Sequence, residues 1–167
     1  MEVKILDSGP EPVSMDDLRA ICKMNPGEDD RVLEIMNKAS RQMCQRFLNQ
    51  SLSNQRIQVY SHESSVSLPY WPVKEVESVE AGDDTAESYE VSGYEQVTVT
   101  ASGGPIKVIY KAGYTLCPTS GESACPEDLK LAIMLTVKYW YDMGYIDGKL
   151  PEEAKNIMRL ATDNLMI

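Results

Sequence analysis

Few residues in this 167-residue sequence are of a kind that does chemistry, and most of those are carboxylates. Pairs such as Asp83/Asp84 and Glu75/Glu77 have the spacing of an acid–base couple. Such a couple needs an apolar pocket to drive its two pKa values apart. These pairs instead fall in an acidic, solvent-facing stretch, and they lack the Asp-x-Asp-x-Asp-Gly spacing of a calcium loop. His62, the one histidine, sits in a Ser/Glu-rich loop and reads as an exposed polar residue, not a general base. Cys22, Cys44, Cys117 and Cys125 include no C-x-x-C pair, so with a single histidine they form no zinc set. Cys22 and Cys44 lie within helical patterns and read as small buried hydrophobes. Cys117 and Cys125 bracket a polar loop and could pair only in an oxidising compartment, and reduced thiols are the expectation. There is no G-x-S-x-G, no phosphate loop ending in Lys-Ser/Thr, no G-x-G-x-x-G and no H-E-x-x-H. No catalytic, cofactor-binding or metal residue is assigned, and an enzyme ranks last.

Aromatic residues carry the next signal. Tyr139-Trp140-Tyr141 with Tyr145 is the densest group in the chain. Consecutive residues on a helix cannot face the same way, so Trp140 is expected in the core while Tyr141 and Tyr145 turn partly outward. Aromatics are enriched at protein–protein interfaces. Trp71, Tyr114, Tyr141 and Tyr145 are therefore the candidate interface residues.

The charge is unevenly placed. The chain holds 16 Lys+Arg against 26 Asp+Glu, a net charge of −10, which argues against a protein that grips phosphate backbones. Residues 1–61 carry 9 acids and 8 bases, and residues 107–167 carry 8 and 7. Between them, residues 62–106 carry 9 acids and one base, Lys74. Glu75, Glu77, Glu80, Asp83, Asp84 and Glu87 in this stretch are the candidate lining or solvent-facing acids. Two readings stand: a solvated face that blunts sheet edges, or a repulsive lining or docking face for a basic partner.

The elements that must position these residues are legible from periodicity. Ser14 with Asp17 three residues on is an N-cap signal for a helix over 15–24, which Asn25-Pro26-Gly27 ends. A longer helix over about 28–49 has Val32, Met36, Ala39, Met43 and Phe47 in a continuous apolar stripe. Alternation at 57–60, 97–100 and 106–111 predicts strands, with turn signals at Gly82-Asp83-Asp84, Ser92-Gly93 and Ser102–Pro105. Pro69 and Pro72 frame a rigid bend at Tyr70-Trp71. Pro126 opens a helix to Met143 that is apolar over a wide arc and so central, with Gly144 its stop. A last helix follows Pro151. The first residues show no secretory signal. The longest apolar stretch, Leu131–Val137, is far short of the ~20 residues that span a bilayer, so no membrane is expected.

In this order the signals resemble a family, the head–tail connector or head-completion adaptor proteins of tailed phages and prophages. Glu11-Pro12-Val13-Ser14-Met15-Asp16-Asp17-Leu18 is similar to the family's P-V-S/T-L helix start, and Glu28–Leu33 to its acidic entry into the long helix. Leu68-Pro69-Tyr70-Trp71-Pro72-Val73 resembles its L-P-x-x-P-V strand, and Ile106–Tyr114 its V-x-V-x-Y-x-A-G-Y. Pro126–Ile133 through Tyr141 resembles its P-x-D-L-K-x-A-I…W-Y helix. Asp142-Met143-Gly144, after the aromatic pair, and the Cys117–Cys125 loop depart from the pattern.

The resemblance implies a non-enzymatic virion protein without cofactors. It would form a ring, dodecameric in the virion, under the portal protein, and offer a platform to the next neck, stopper or tail protein. Packaged DNA would pass without specific binding. The protein would reside in the virion neck, and in the host cytoplasm before assembly. An acidic DNA mimic and another neck or tail-tube component are the alternatives. The expected fold is α+β, mainly a helical bundle of about four helices with an antiparallel β region inserted at about 55–111. It forms one connector domain over 1–167: an N-terminal arm at 1–12, helices at 14–50, the acidic β region, the 126–143 helix, and a C-terminal helix or arm at 151–167.

Overall fold

The computed structural model describes residues 1–82, 84–85, 89–92, 97–102, 104–115 and 124–165. The chain divides into two compact units, Met1–Pro10 with Asn49–Ser123, and Glu11–Leu48 with Ala124–Ile167.

The first unit is built of strands. β1 (Glu2–Ser8), β2 (Gln55–Ser61), β4 (Val73–Ala81), β5 (Asp84–Thr85) and β8 (Ile106–Ala112) form a sheet in the order β1-β2-β8-β4-β5. β3 (Ser65–Ser67), β6 (Tyr89–Ser92) and β7 (Thr98–Ala101) form a second sheet, in the order β3-β7-β6. All the pairings are antiparallel. Alternation decides which side is dry: β8 runs buried, half-buried, buried along its whole length, with Ile106, Val108, Tyr110 and Ala112 inward. Register stacks these into apolar rows, Val79–Val108–Val59 and Val76–Tyr110–Ile57. Val66, Leu68, Val97 and Val99 complete the same core.

Two close approaches fix the ends of these strands. Gly113, just past β8, has φ +101 and donates its N–H to the Pro72 carbonyl at 2.9 Å. A Cβ there would collide with the Ser53 carbonyl oxygen, so only glycine fits. Trp71 precedes a cis proline, and its carbonyl accepts from the Ser51 N–H at 2.9 Å.

The second unit is helical: α1 (Met15–Cys22), α2 (Asp30–Leu48), α3 (Glu127–Met143) and α4 (Glu152–Leu165). The cap of α1 forms as its sequence dictates, with Asp17 N–H donating to Ser14 Oγ at 3.1 Å. Lys23, in the left-handed region at φ 57, ends the helix before Asn25. α3 packs against α1, α2 and α4, and buries Leu129, Ala132, Ile133, Val137 and Trp140. Gly144 stops it at φ 76.

The expectation of a mainly helical bundle with a β insert is overturned. The fold is α+β, but its strands form two antiparallel sheets with a hydrophobic core of their own, not an excursion from a helical body. Residues 1–12, expected as an arm, supply β1, which pairs with β2 from Glu2↔Tyr60 to Ser8↔Gln55. The stripe expected on α2 is also displaced. Of its five residues only Met36 is buried, while Val32 and Phe47 are exposed. α2 instead buries Leu33, Met36, Asn37, Ser40, Arg41, Cys44 and Gln45. A polar face can turn inward here because its charge is paired: Arg41 donates to Glu11 from Nε at 2.6 Å and Nη2 at 3.2 Å, and to Gln45 Oε1 at 2.8 Å.

Candidate functional site

Three of the acidic candidates, Glu75, Glu77 and Glu80, do not stand as free charge. Register aligns Asp7, Arg56, Lys111 and Glu75 in one row across β1, β2, β8 and β4, on the face opposite the apolar core. A register shift between Val76 and Ser78 inserts Glu77 as an extra residue in β4. From that bulge Glu77 reaches two bases, with Oε2 2.6 Å from Arg56 Nε and Oε1 3.0 Å from Lys111 Nζ. Lys111 also lies 3.0 Å from Glu75, and Lys107 lies 2.9 Å from Glu80. The electrostatics follow from this. Arg56, and then Lys111, hold the Glu77 carboxyl below the usual carboxylate range. Glu75, and then Glu77, raise the Lys111 ammonium. Three acids thus meet three bases on this face.

Segment counting could not reveal this, because Arg56, Lys107 and Lys111 all lie outside 62–106. The strand alternation that put Lys107 and Lys111 on one face was the available signal; register was needed to supply the partner. Asp84 opens β5. Asp83 and Glu87 lie outside the described residues.

The four aromatic candidates separate. Tyr114 is buried, at 7% exposure, and is not a surface residue. Trp71 is half-buried and forms an isolated bridge with Gln50. Tyr141 is half-buried and donates its hydroxyl to Asp29 Oδ2 at 3.3 Å, so it ties the end of α3 to the start of α2. Burial first, and then the Asp29 carboxylate, raise its phenol. Tyr145 alone is fully outward, at 55% exposure.

A residue that sequence reading missed organises this corner. Asp147 Oδ1 accepts from Trp140 Nε1 at 3.1 Å and from the Lys149 N–H at 2.9 Å, and Oδ2 accepts from the Tyr139 hydroxyl at 3.2 Å. The Lys149 backbone N–H is the main cause that holds this carboxyl below its ordinary range. Nothing in the local pattern marks one aspartate among several as the one that folds back on the helix.

The helical unit also has an open cleft of about 640 Å³ between the 11–19 segment and α2. Its three carboxylates are each engaged by a base: Glu11 by Arg41, Asp30 by Arg19 at 2.7 Å, and Glu34 by Lys38 at 3.1 Å. Cys44 and Cys125 are buried thiols pushed up to about 12 by desolvation, far from a reactive thiolate. Cys117 lies outside the described residues. Among the described residues no three His, Cys, Asp or Glu side chains cluster to hold a metal, and no helix is long and apolar enough to cross a membrane.

Comparison with known proteins gives the fold and the family. Among curated proteins, none has a matching sequence. Solved structures share the fold. The neck of an empty gene transfer agent (GTA) particle, computed with C6 symmetry, superposes with a TM-score of 0.76 at 15% identity, covering 95% of this chain and 94% of that one. A chain of the virion of the native GTA particle gives 0.73 at 15% identity, with 95% and 94% covered. The neck of the native particle, computed with C12 symmetry, gives 0.68 at 14% identity, with 95% and 93% covered. The profile of the head completion proteins matches residues 12–151, from the proline before the α1 cap to the proline that opens α4. The chain belongs to the head completion protein family.

Proposed function

We propose that this chain is a structural component of a phage-like neck: it completes the filled head and connects it to the tail, without catalysis. The family match over residues 12–151 carries this reading, and the fold shared with GTA neck and virion chains supports it. The copies assemble as a ring, in keeping with the C6 and C12 symmetry in which the neck structures of this fold were computed. One side of the ring meets the portal protein and the other meets the next neck or tail component. Before assembly the chain resides in the host cytoplasm.

The charged sheet face suits a part that DNA passes. Arg56, Lys107 and Lys111 are each held by a carboxylate. Bases already neutralised release few counterions on meeting phosphate, so they grip it weakly. DNA mimicry draws no support from this face, since mimicry needs unpaired carboxylates spaced like phosphates.

Co-sedimentation of the purified chain with portal rings, followed by negative-stain imaging, tests the reading. The expected result is density capping the portal. A chain that neither forms rings nor binds a portal at high concentration overturns it.

A further inference from the structure

Among the described residues, β1 forms one edge of the five-stranded sheet and pairs only with β2. All seven of its residues are exposed. The apolar rows of the sheet run out to this strand and stop. Val79–Val108–Val59 ends at Val3, 40% exposed, and Val76–Tyr110–Ile57 ends at Ile5, 44% exposed. Val59 and Ile57, one strand further in, have no exposed surface. Such an edge presents a row of unpaired backbone N–H and C=O groups, and an extended strand is what completes it.

Which strand fits is written in β8. β1 and β8 are both antiparallel to β2, so they run the same way. Each also places a lysine between two apolar residues of the core side: Val3-Lys4-Ile5 in β1 and Tyr110-Lys111-Ala112 in β8. In β8 that triplet meets β4, with Tyr110 opposite Val76, Lys111 opposite Glu75 and Ala112 opposite Val73. Lys111 lies 3.0 Å from Glu75 there. On its other side β4 has, among the described residues, only β5, which pairs at Glu80 and Ala81 and leaves 73–76 without a neighbouring strand.

We propose that β1 of one copy adds to this free edge of β4 in the next copy around a ring, with Val3 opposite Val76, Lys4 opposite Glu75 and Ile5 opposite Val73. This rests on the ring reading above and names the two edges that close it. β1 and β4 are different surfaces of one subunit, as the head-to-tail contacts of a cyclic ring require. Charge selects the register. Lys4 is exposed and has no ion-pair partner among the described residues. The Glu75 side chain is 61% exposed, and Lys111 keeps Glu77 when Glu75 turns to Lys4. The competing registers set like charges directly opposite, which destabilises a strand pair. Continuing the rows of the sheet unshifted puts Glu2 against Glu80 and Asp7 against Glu75. Pairing β1 with a second β1, Val3 opposite Ile5, puts Lys4 against Lys4.

The test uses the full chain in sedimentation velocity and negative-stain imaging, alone and with portal rings, and compares Lys4→Glu, Glu75→Lys and the double reversal. Both residues are exposed, so far-UV spectra stay at the wild-type shape. Each single change sets like charges opposite at every contact of the ring, so it loses rings at the wild-type concentration. The double reversal restores the pair and regains them. Backbone amides at 3–5 exchange more slowly in wild-type rings than in the monomer. Rings that persist in either single variant overturn this pairing and leave the ring reading standing. Loss of rings in both singles without recovery in the double also overturns it, as do amides at 3–5 that exchange equally fast in ring and monomer. A wild-type chain that forms no ring, alone or on a portal, overturns the ring reading and this pairing with it.

Discussion

Arg56 Nε and Glu77 Oε2 lie 2.6 Å apart although their strands, β2 and β4, are not neighbours: β8 runs between them. The bulge in β4 makes this reach possible, and Lys111 on β8 sits under the pair, 3.0 Å from the other carboxylate oxygen. The folded state binds the Glu77 proton less readily than the unfolded chain does, because the two bases lower its pKa. The resulting stability is fully present above the unfolded value of about 4.3 and is lost as pH falls through the lower folded value. Glu77→Gln should therefore lower the urea midpoint at pH 7, and the gap from wild type should close as the pH is taken below about 4. A gap that stays constant from pH 7 to pH 3 refutes this account of the bulge.

Gly113→Ala should be among the most damaging single changes in the sheet unit. It puts a Cβ at φ +101 and against the Ser53 carbonyl oxygen, which is backbone and cannot swing aside. Strain and collision together should cost about 3 kcal/mol or more. Chemical denaturation measures it. A cost below about 1 kcal/mol shows that the 51–53 segment yields.

Arg41 is 4% exposed and pairs with Glu11 across the helical unit. Removing one partner leaves a desolvated charge, so Glu11→Leu should destabilise by about 3 kcal/mol. Replacing both, as Glu11→Leu with Arg41→Met, should recover most of that loss, because paired buried charges are often close to neutral against apolar groups of similar size. Four denaturation curves in a double-mutant cycle decide it. Additive losses would mean that the two side chains act independently.

How far these features were legible depends on whether their cause is local. The α1 cap, the stop at Gly144 and the buried Trp140 follow from residues within one or two turns of each other, and the structure has them where the pattern placed them. β1 was not legible. Glu2, Lys4 and Asp7 break its apolar run, and it is a strand only because β2, some fifty residues on, offers an edge. The face that α2 buries was misread for a related reason. Periodicity shows which side of a helix is apolar, whereas Glu11 and Val13 settle which side is covered, Val13 by taking the Asn37 amide N–H at 3.0 Å. The aromatic candidates were visible, but their sorting into one outward Tyr145, one tied Tyr141 and one buried Tyr114 needed Asp29 and the packing around each ring.

Asp147 yields the last prediction, because it links a buried group to an exposed one. It accepts from Trp140, which has no exposed surface, and in doing so fixes the turn that carries Tyr145. Trp140→Phe removes the one N–H that Asp147 Oδ1 shares with the Lys149 carbonyl at 3.1 Å, and it leaves space in the core of α3. A loss of about 2 kcal/mol is expected from the broken hydrogen bonds and the cavity. The Asp147 carboxyl is held low by Lys149, Tyr139 and Trp140, so its contribution is present above the unfolded aspartate value of about 3.9 and fades as pH drops below it. Trp140→Phe should therefore flatten the decline of stability below pH 4, because one of the groups that lowers the carboxyl is gone. Asp147→Ala separates the two roles. It keeps Trp140 in place with its second acceptor, so the helices should stay folded by circular dichroism, while backbone amide exchange over residues 145–149 speeds up. An Asp147→Ala chain whose turn exchanges at the wild-type rate shows that the turn needs no such tether.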